Sequence, residues 1–162
     1  MRKIIIGVLG PGDNASENEA DNAFALGKLI AEQGWILLSG GRNKGAMDAV
    51  NQGAKSAGGL TVGIIPVADN SNTSEAVDVP IITGMGSARN NIIVLSCNML
   101  IACGMSAGTA SEVALALKAK KQVILLTDNQ ESISFFQSIG KDKVHTATNP
   151  QDAIVIAKKL LE

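Results

Sequence analysis

Aromatic side chains are nearly missing from this chain: three Phe, one Trp and no Tyr make up 2% of its 162 residues. Proteins that hold single-stranded nucleic acid stack bases on such rings, so that class is disfavoured at once. An excess of positive charge is missing too. Fourteen Lys and Arg stand against fifteen Asp and Glu, for a net charge of −1. A duplex binder needs a basic face, so no nucleic-acid partner is expected. No apolar run approaches the roughly 18 residues of a membrane span, and no membrane partner is expected either. The start, Met1-Arg2-Lys3-Ile4-Ile5-Ile6-Gly7, is basic and then apolar. A Gly-Pro-Gly turn interrupts it before it reaches the length of a secretion signal. It reads as the first strand of a cytoplasmic protein.

Cysteine and histidine are scarce as well, with Cys97, Cys103 and His145 the whole supply. Six residues apart and with no further partners, the two thiols do not make a zinc site, and no metal-ligand set is expected. Cys97 should end a helix and Cys103 a strand, which predicts two buried free thiols rather than a disulfide. His145 falls near the end of a late strand with no nucleophile motif beside it, so no catalytic role is assigned to it.

What remains is aliphatic. Hydrophobic residues reach 46%, with 21 Ala and 17 Gly, which predicts a core of Ile, Leu, Val and Ala with many close backbone contacts. The length suits one domain, residues 1–162. A chain of this mass exposes roughly 7,600 Å² folded against about 24,000 Å² extended, enough burial for a full core without staples.

Five apolar runs of strand length recur: Ile4–Leu9, Trp35–Leu38, Leu60–Ile65, Asn98–Cys103 and Gln122–Leu126. They are aliphatic on both faces, as in a parallel sheet covered on both sides. Weaker strands are expected at Val79–Ile82 and Lys143–Thr146. Helical patterns lie at Ser16–Gln33, Lys44–Ala57, Ser87–Ser96, Thr109–Ala119, Glu131–Ile139 and Pro150–Leu161. Ser16 and Glu19 have capping-box spacing, and Asn149 with Pro150 marks another start. Gly34, Gly58 and Gly140 fall where helices should end. The alternation predicts an α/β fold with a central parallel sheet and right-handed crossovers. Ala68–Asp78 reads as a polar loop, either a plain surface connection or a mobile lid.

The other glycines gather just after strands: Gly10-Pro11-Gly12, Ser39-Gly40-Gly41, Gly84-Met85-Gly86 and Gly104-Met105-Ser106-Ala107-Gly108. All four turns would lie at the carboxyl edge of the sheet, where open α/β folds bind ligands. Glycine allows close backbone approach, and each following helix offers free N–H groups. The array predicts a phosphate or another small anionic ligand. Gly10–Ala15 fits a variant of the dinucleotide fingerprint, yet the second strand ends in Leu38-Ser39-Gly40 with no carboxylate for a ribose, so NAD is not expected. No P-loop motif exists. Arg42 and Arg89 are the cations expected on this rim, Lys44 being as well placed in solvent. An Arg at a helix start opposes the dipole, so Arg89 is read as facing an anionic partner, the other reading being a plain exposed charge. Thr109 and Glu112 have capping-box spacing, and Glu112 could equally be a carboxylate on the ligand rim.

Two stretches carry a resemblance. Ser39-Gly40-Gly41-Arg42-Asn43-Lys44-Gly45-Ala46-Met47-Asp48-Ala49-Val50, with Gly53-Ala54 and Gly58-Gly59 behind it, resembles the first signature of the family labelled "possible lysine decarboxylase", the Lonely Guy or SLOG group. Gly104-Met105-Ser106-Ala107-Gly108-Thr109-Ala110-Ser111-Glu112-Val113 sits where that family has Pro-Gly-Gly-x-Gly-Thr-x-x-Glu. The resemblance implies a Rossmann-like three-layer sandwich with a mostly parallel sheet of six or seven strands. In one branch, phosphoribohydrolases that release a cytokinin base from its nucleoside 5′-monophosphate, an Arg and the motif Glu do the work. These match Arg89 and Glu112, while Asn90 stands where a Lys is usual and Gly104-Met105-Ser106 where Pro-Gly-Gly is. The other branch, molybdenum cofactor carrier proteins, is resembled more closely over residues 104–126. It implies binding, protection and transfer of molybdenum cofactor without catalysis, molybdenum enzymes as recipients, and a homo-oligomer, a dimer or tetramer. Small apolar helix positions such as Ala114, Leu115 and Leu117 could pack between subunits or equally face the sheet. Taken together, the glycine turns and the resemblance name as cofactor-binding residues Gly10, Pro11, Gly12, Ser39, Gly40, Gly41, Arg42, Gly45, Gly84, Arg89, Asn90, Gly104, Ser106, Gly108, Thr109 and Glu112.

Overall fold

A computed structural model describes residues 2–162. Seven strands form one sheet in the order β4-β3-β2-β1-β5-β6-β7: β1 Ile5–Leu9, β2 Ile36–Ser39, β3 Thr61–Ile65, β4 Val79–Ile82, β5 Met99–Cys103, β6 Val123–Leu126 and β7 Val144–Thr146. Every pairing is parallel. The helices are α1 Glu17–Glu32, α2 Gly45–Ser56, α3 Arg89–Ser96, α4 Ala107–Lys118, α5 Gln130–Gly140 and α6 Pro150–Leu161. The expected strands are all present, the two weak ones included.

Strand alternation divides the interior. Ile6, Val8, Met99, Ile101 and Ile124 point to a layer of α1, α2 and α6. Leu9, Leu38, Ile64, Leu100, Ala102 and Leu125 point to a layer of α3, α4 and α5. The result is the Rossmann-like three-layer sandwich. β4 closes one end of the sheet with Val79, Ile81 and Ile82 exposed, and it carries Pro80, which an edge strand tolerates because no neighbour needs its missing N–H.

The caps follow sequence chemistry with two differences. Ser16 and Glu19 make the reciprocal capping box of α1, and Asn149 caps α6 with Pro150 at its first position. Gly140, however, ends α5 with negative φ, and the left-handed residue is Lys141 at φ 48°. Gly140 is small for another reason: a Cβ there would lie 2.3 Å from Val144 Cγ2. α4 starts two residues before the expected Thr109, because the Ser106 Oγ accepts from the Thr109 N–H at 3.3 Å.

Cys97 ends α3 and Cys103 ends β5, and both are free and buried. They belong to opposite layers, so no disulfide can join them. Burial pushes both thiols up to about 12. The 66–78 connection is tied down: Thr73 bridges Arg42, the Ser74 N–H donates to Gly41 O, and Asp78 accepts from Thr61 and pairs with Lys55.

Candidate functional site

The chain reverses direction across the sheet at β1, whose neighbours are β2 and β5. Crossovers leave that point to opposite faces, so the loops above it part and leave a crevice. A cavity of about 490 Å³ lies there, walled by the β1–α1 turn, the β2–α2 turn, the start of α3 and the start of α4.

Local sequence explains the wall. Gly45 opens α2 at φ +55°, and a Cβ on it would lie 2.0 Å from Gly12 O. Only glycine lets the α2 N-terminus meet the β1 turn, a junction fixed by the Ala46 N–H donating to Pro11 O at 3.0 Å. Gly40 has a different purpose. A Cβ there would lie 2.7 Å from Met47 Sδ and 2.9 Å from Arg89 Nη2, so its absence makes room for both side chains.

Arg89 is 8% exposed although it carries a charge. It donates from Nη1 to Asn90 Oδ1. Its Nε is buried and has no hydrogen-bond partner among the described residues. A buried donor left without an acceptor is costly unless a ligand supplies one. Desolvation lowers the Arg89 pKa, which Glu112 opposes. Asn90 in turn donates to Ser111 Oγ at 3.2 Å.

Glu112 faces this guanidinium. It is 8% exposed, and its Oε1 lies 3.9 Å from Arg89 Nη1, too far for a direct hydrogen bond. The expected capping box is absent: Ser106 is the cap, Thr109 lies inside the first turn, and Glu112 points into the cavity wall instead. Burial pushes its carboxyl up to about 7, against the pull of Arg89. The folded chain thus holds a proton that the unfolded chain gives up. Stability therefore falls as pH rises from the ordinary glutamate value of 4.5 through about 7. Glu112→Gln is expected to be more stable than the parent at pH 8 by roughly 1–3 kcal/mol and equal to it near pH 4, read by denaturant titration at both pH values. A variant less stable than the parent at pH 8 would overturn the assignment of a strained carboxylate.

Of the residues expected at the site, Gly10, Pro11, Gly12, Gly40, Arg42, Arg89, Asn90, Ser106, Gly108, Thr109 and Glu112 line the cavity. Ser39, Gly41, Gly45, Gly84 and Gly104 do not. Ser39 is buried and accepts from the Gly41 N–H and from Asn51, so it shapes the turn from behind. Gly41 packs against Gly63 and Ile65 of β3, and Gly84 approaches Ala68. Gly104 borders a second, smaller recess of about 360 Å³ with Glu19 and Asp128. Lys44 does not line the cavity but makes an exposed pair at 2.7 Å with Asp13, which does. His145 lies far from the cavity wall, bonded to Gln122 at 2.9 Å. Of the three apolar α4 positions, Leu117 packs inward beneath Gly140, while Ala114 and Leu115 border a shallow groove beside α3.

Nine further residues line the cavity and were not among the expected site residues: Val8, Leu9, Asp13, Asn14, Met47, Pro66, Gly86, Ser87 and Ala107. Met47 is the informative one. Its Cε would lie 3.2 Å from a Cβ on Gly12 and its Sδ 2.7 Å from one on Gly40, so the thioether lies across the two glycine turns. Two side-chain-free turns flanking one methionine are the signal that could have found it.

Comparison with known solved structures finds likeness over the full chain. The molybdenum cofactor binding protein of the phototrophic bacterium Rippkaea orientalis superposes with a TM-score of 0.99 at 51% identity, covering 100% of this chain and 99% of that one. The molybdenum cofactor carrier protein of Chlamydomonas reinhardtii superposes with a TM-score of 0.92 at 53% identity, over 99% and 98% of the two chains. A cytokinin riboside 5′-monophosphate phosphoribohydrolase of Mycobacterium marinum is 50% identical over 44 residues, 27% of this chain and 24% of that protein. The family model of the SLOG cluster4 family matches residues 3–154, and the chain belongs to that family.

Proposed function

We propose that this chain binds molybdenum cofactor in the β1–β5 crevice, protects it and passes it to molybdenum enzymes without transforming it. The observation that carries this reading is likeness along the whole chain, at better than half identity, to two proteins that hold that cofactor. The cavity chemistry supports it. The cofactor bears a phosphate, and Arg89 offers beside the glycine turns a buried Nε with no partner among the described residues. Arg42 and the first-turn amides at Ala107 and Gly108 add donors to the same end, since such amides have no acceptor within the helix.

The pterin ring needs a flat apolar wall, and no aromatic side chain supplies one. Met47, Pro11 and Pro66 do so instead, a thioether being a good partner for a ring edge or face. The metal would stay on the cofactor's own sulfurs. Cys97 and Cys103 are buried thiols pushed up to about 12 and offer no thiolate to it. The groove beside Ala114 and Leu115 is the face proposed for packing of copies into a dimer or tetramer.

The test mixes the purified protein with cofactor and measures retention on gel filtration and survival against air. Retention with a slowed oxidation rate is expected. Met47→Ala should keep the fold and weaken retention by roughly three- to thirtyfold, the worth of one ring contact plus its buried area. No retention by the parent would sink the reading. One observation favours a second reading: the Arg89–Glu112 pair places a carboxyl pushed to about 7 beside a guanidinium, a fit for acid-assisted departure of a base from a nucleoside 5′-monophosphate. Release of free base from such a nucleotide would establish that reading, and its absence would remove it.

A further inference from the structure

We propose that the Arg89–Glu112 pair makes anion binding in this cavity a proton-coupled event: a dianion enters only as Glu112 takes up a proton. This rests on the reading of the cavity as a phosphate-holding site and adds to it a means of release.

The geometry is the first support. Arg89 and Glu112 are both 8% exposed, lie on facing helices and line one cavity, with Nη1 and Oε1 3.9 Å apart. The guanidinium still has a spare donor, since Nε has no hydrogen-bond partner among the described residues. A dianion that reaches this donor must sit within a few ångströms of the Glu112 carboxyl. Two like charges that close repel strongly in a site shielded from water. Neutralising Glu112 removes that repulsion and frees Arg89 to serve the ligand alone.

The surroundings leave Glu112 as the group that must respond. From α3 it faces Arg89 and the neutral Asn90, and on α4 the nearby hydroxyls are engaged, Thr109 with Ser106 and Ser111 with Asn90 and Gly108 O. The β2–α2 turn presents Arg42. The β1–α1 loop presents Asp13, held below its ordinary value by Lys44. The Cys97 thiol behind α3 is pushed up to about 12 and stays neutral. The sole imidazole, His145, is bonded to Gln122 in another part of the fold. Burial has already moved the Glu112 carboxyl to about 7, so a nearby dianion needs to shift it only a little further to hold the proton at neutral pH.

Sulfate is the probe, because it stays a dianion throughout the working range and brings no titration of its own. Calorimetry in two buffers of different ionisation enthalpy reads the protons exchanged on binding. The full-length parent is expected to take up close to one proton per sulfate near pH 8. Its affinity should fall up to about tenfold per pH unit above neutrality. Glu112→Gln should bind sulfate with no proton uptake and a flat pH profile, whereas His145→Asn should behave as the parent does. A flat profile in the parent, uptake that persists in Glu112→Gln, or no sulfate binding at any pH would each overturn the coupling. Cofactor retention is read separately, so a failed coupling with retained cofactor leaves the carrier reading standing.

Discussion

Gly53→Ala and Gly27→Ala are each expected to lower the melting temperature by roughly 10 °C or more, about 4 kcal/mol for a domain of this size. A Cβ on Gly53 would lie 1.9 Å from Phe24 O, and one on Gly27 would lie 2.0 Å from Val50 O and 2.9 Å from Ala54 N. These are backbone atoms, so no rotamer relieves the overlap. The α1 and α2 axes must move apart by an ångström or more, and Ala23, Leu26, Val50 and Ala54 lose the packing they share. Helix propensity works in the opposite direction, since alanine is favoured over glycine by about 1 kcal/mol. A loss of stability therefore reports the close approach and nothing else. Gly34→Ala is the control. Its φ is +71° and nothing lies within 4 Å of the added carbon, so it should cost about 1 kcal/mol of backbone strain. If Gly53→Ala melted with the parent, the α1–α2 contact would have to be looser than this.

That contact also bears on the cavity. α2 begins at Gly45 against the β1 turn and carries Met47 across it, so a shift of α2 displaces the apolar wall together with the turn. Residual cofactor retention in Gly53→Ala below its melting point would separate the two effects.

The sheet was legible because burial on both faces writes itself into a run of residues. β5, Met99–Cys103, is buried at every position and has no polar residue to disguise it. β4 is exposed at all four positions, yet its β-branched residues still marked it as an extended segment. Helix starts were harder. Thr109 and Glu112 have capping spacing, but so do Ser106 and Thr109, and both caps cannot form in one turn. Ser106 takes the cap, its Oγ accepting from the Thr109 N–H, and spacing alone does not choose between the two. The glycines were the most deceptive. A glycine after a strand serves a ligand or a neighbouring backbone equally well in sequence. Gly41 and Gly45 turned out to face Gly63 and Gly12, while Gly40 makes room for Met47 of the following helix and for the distant Arg89. Met47 stayed hidden because, on a helix, a methionine reads as core filler.

Arg89→Ala is expected to weaken binding of the phosphate-bearing ligand by roughly 30- to 1,000-fold, or 2–4 kcal/mol, while leaving the fold intact at acid pH. The size follows from burial: a charge-assisted hydrogen bond in a site shielded from water counts for more than one at the surface. The pH qualification follows from Glu112. Without Arg89 its carboxyl loses the one cation that lowers its pKa, so its proton is held more tightly still. At pH 5 the carboxyl is neutral with or without Arg89, and the variant should melt near the parent. At pH 8 the parent ionises Glu112 against a guanidinium, but the variant must either keep the proton or bury a lone charge, and its stability should fall below the parent's. Pairing Arg89→Ala with Glu112→Gln should restore the pH 8 melting temperature without restoring ligand binding, because the second change removes the stranded carboxylate and adds no cation. Arg89→Lys separates charge from shape: an ammonium keeps the charge but has no Nε, and should recover only part of the lost affinity. Full recovery in Arg89→Lys would show that the unpartnered Nε is not what the ligand uses.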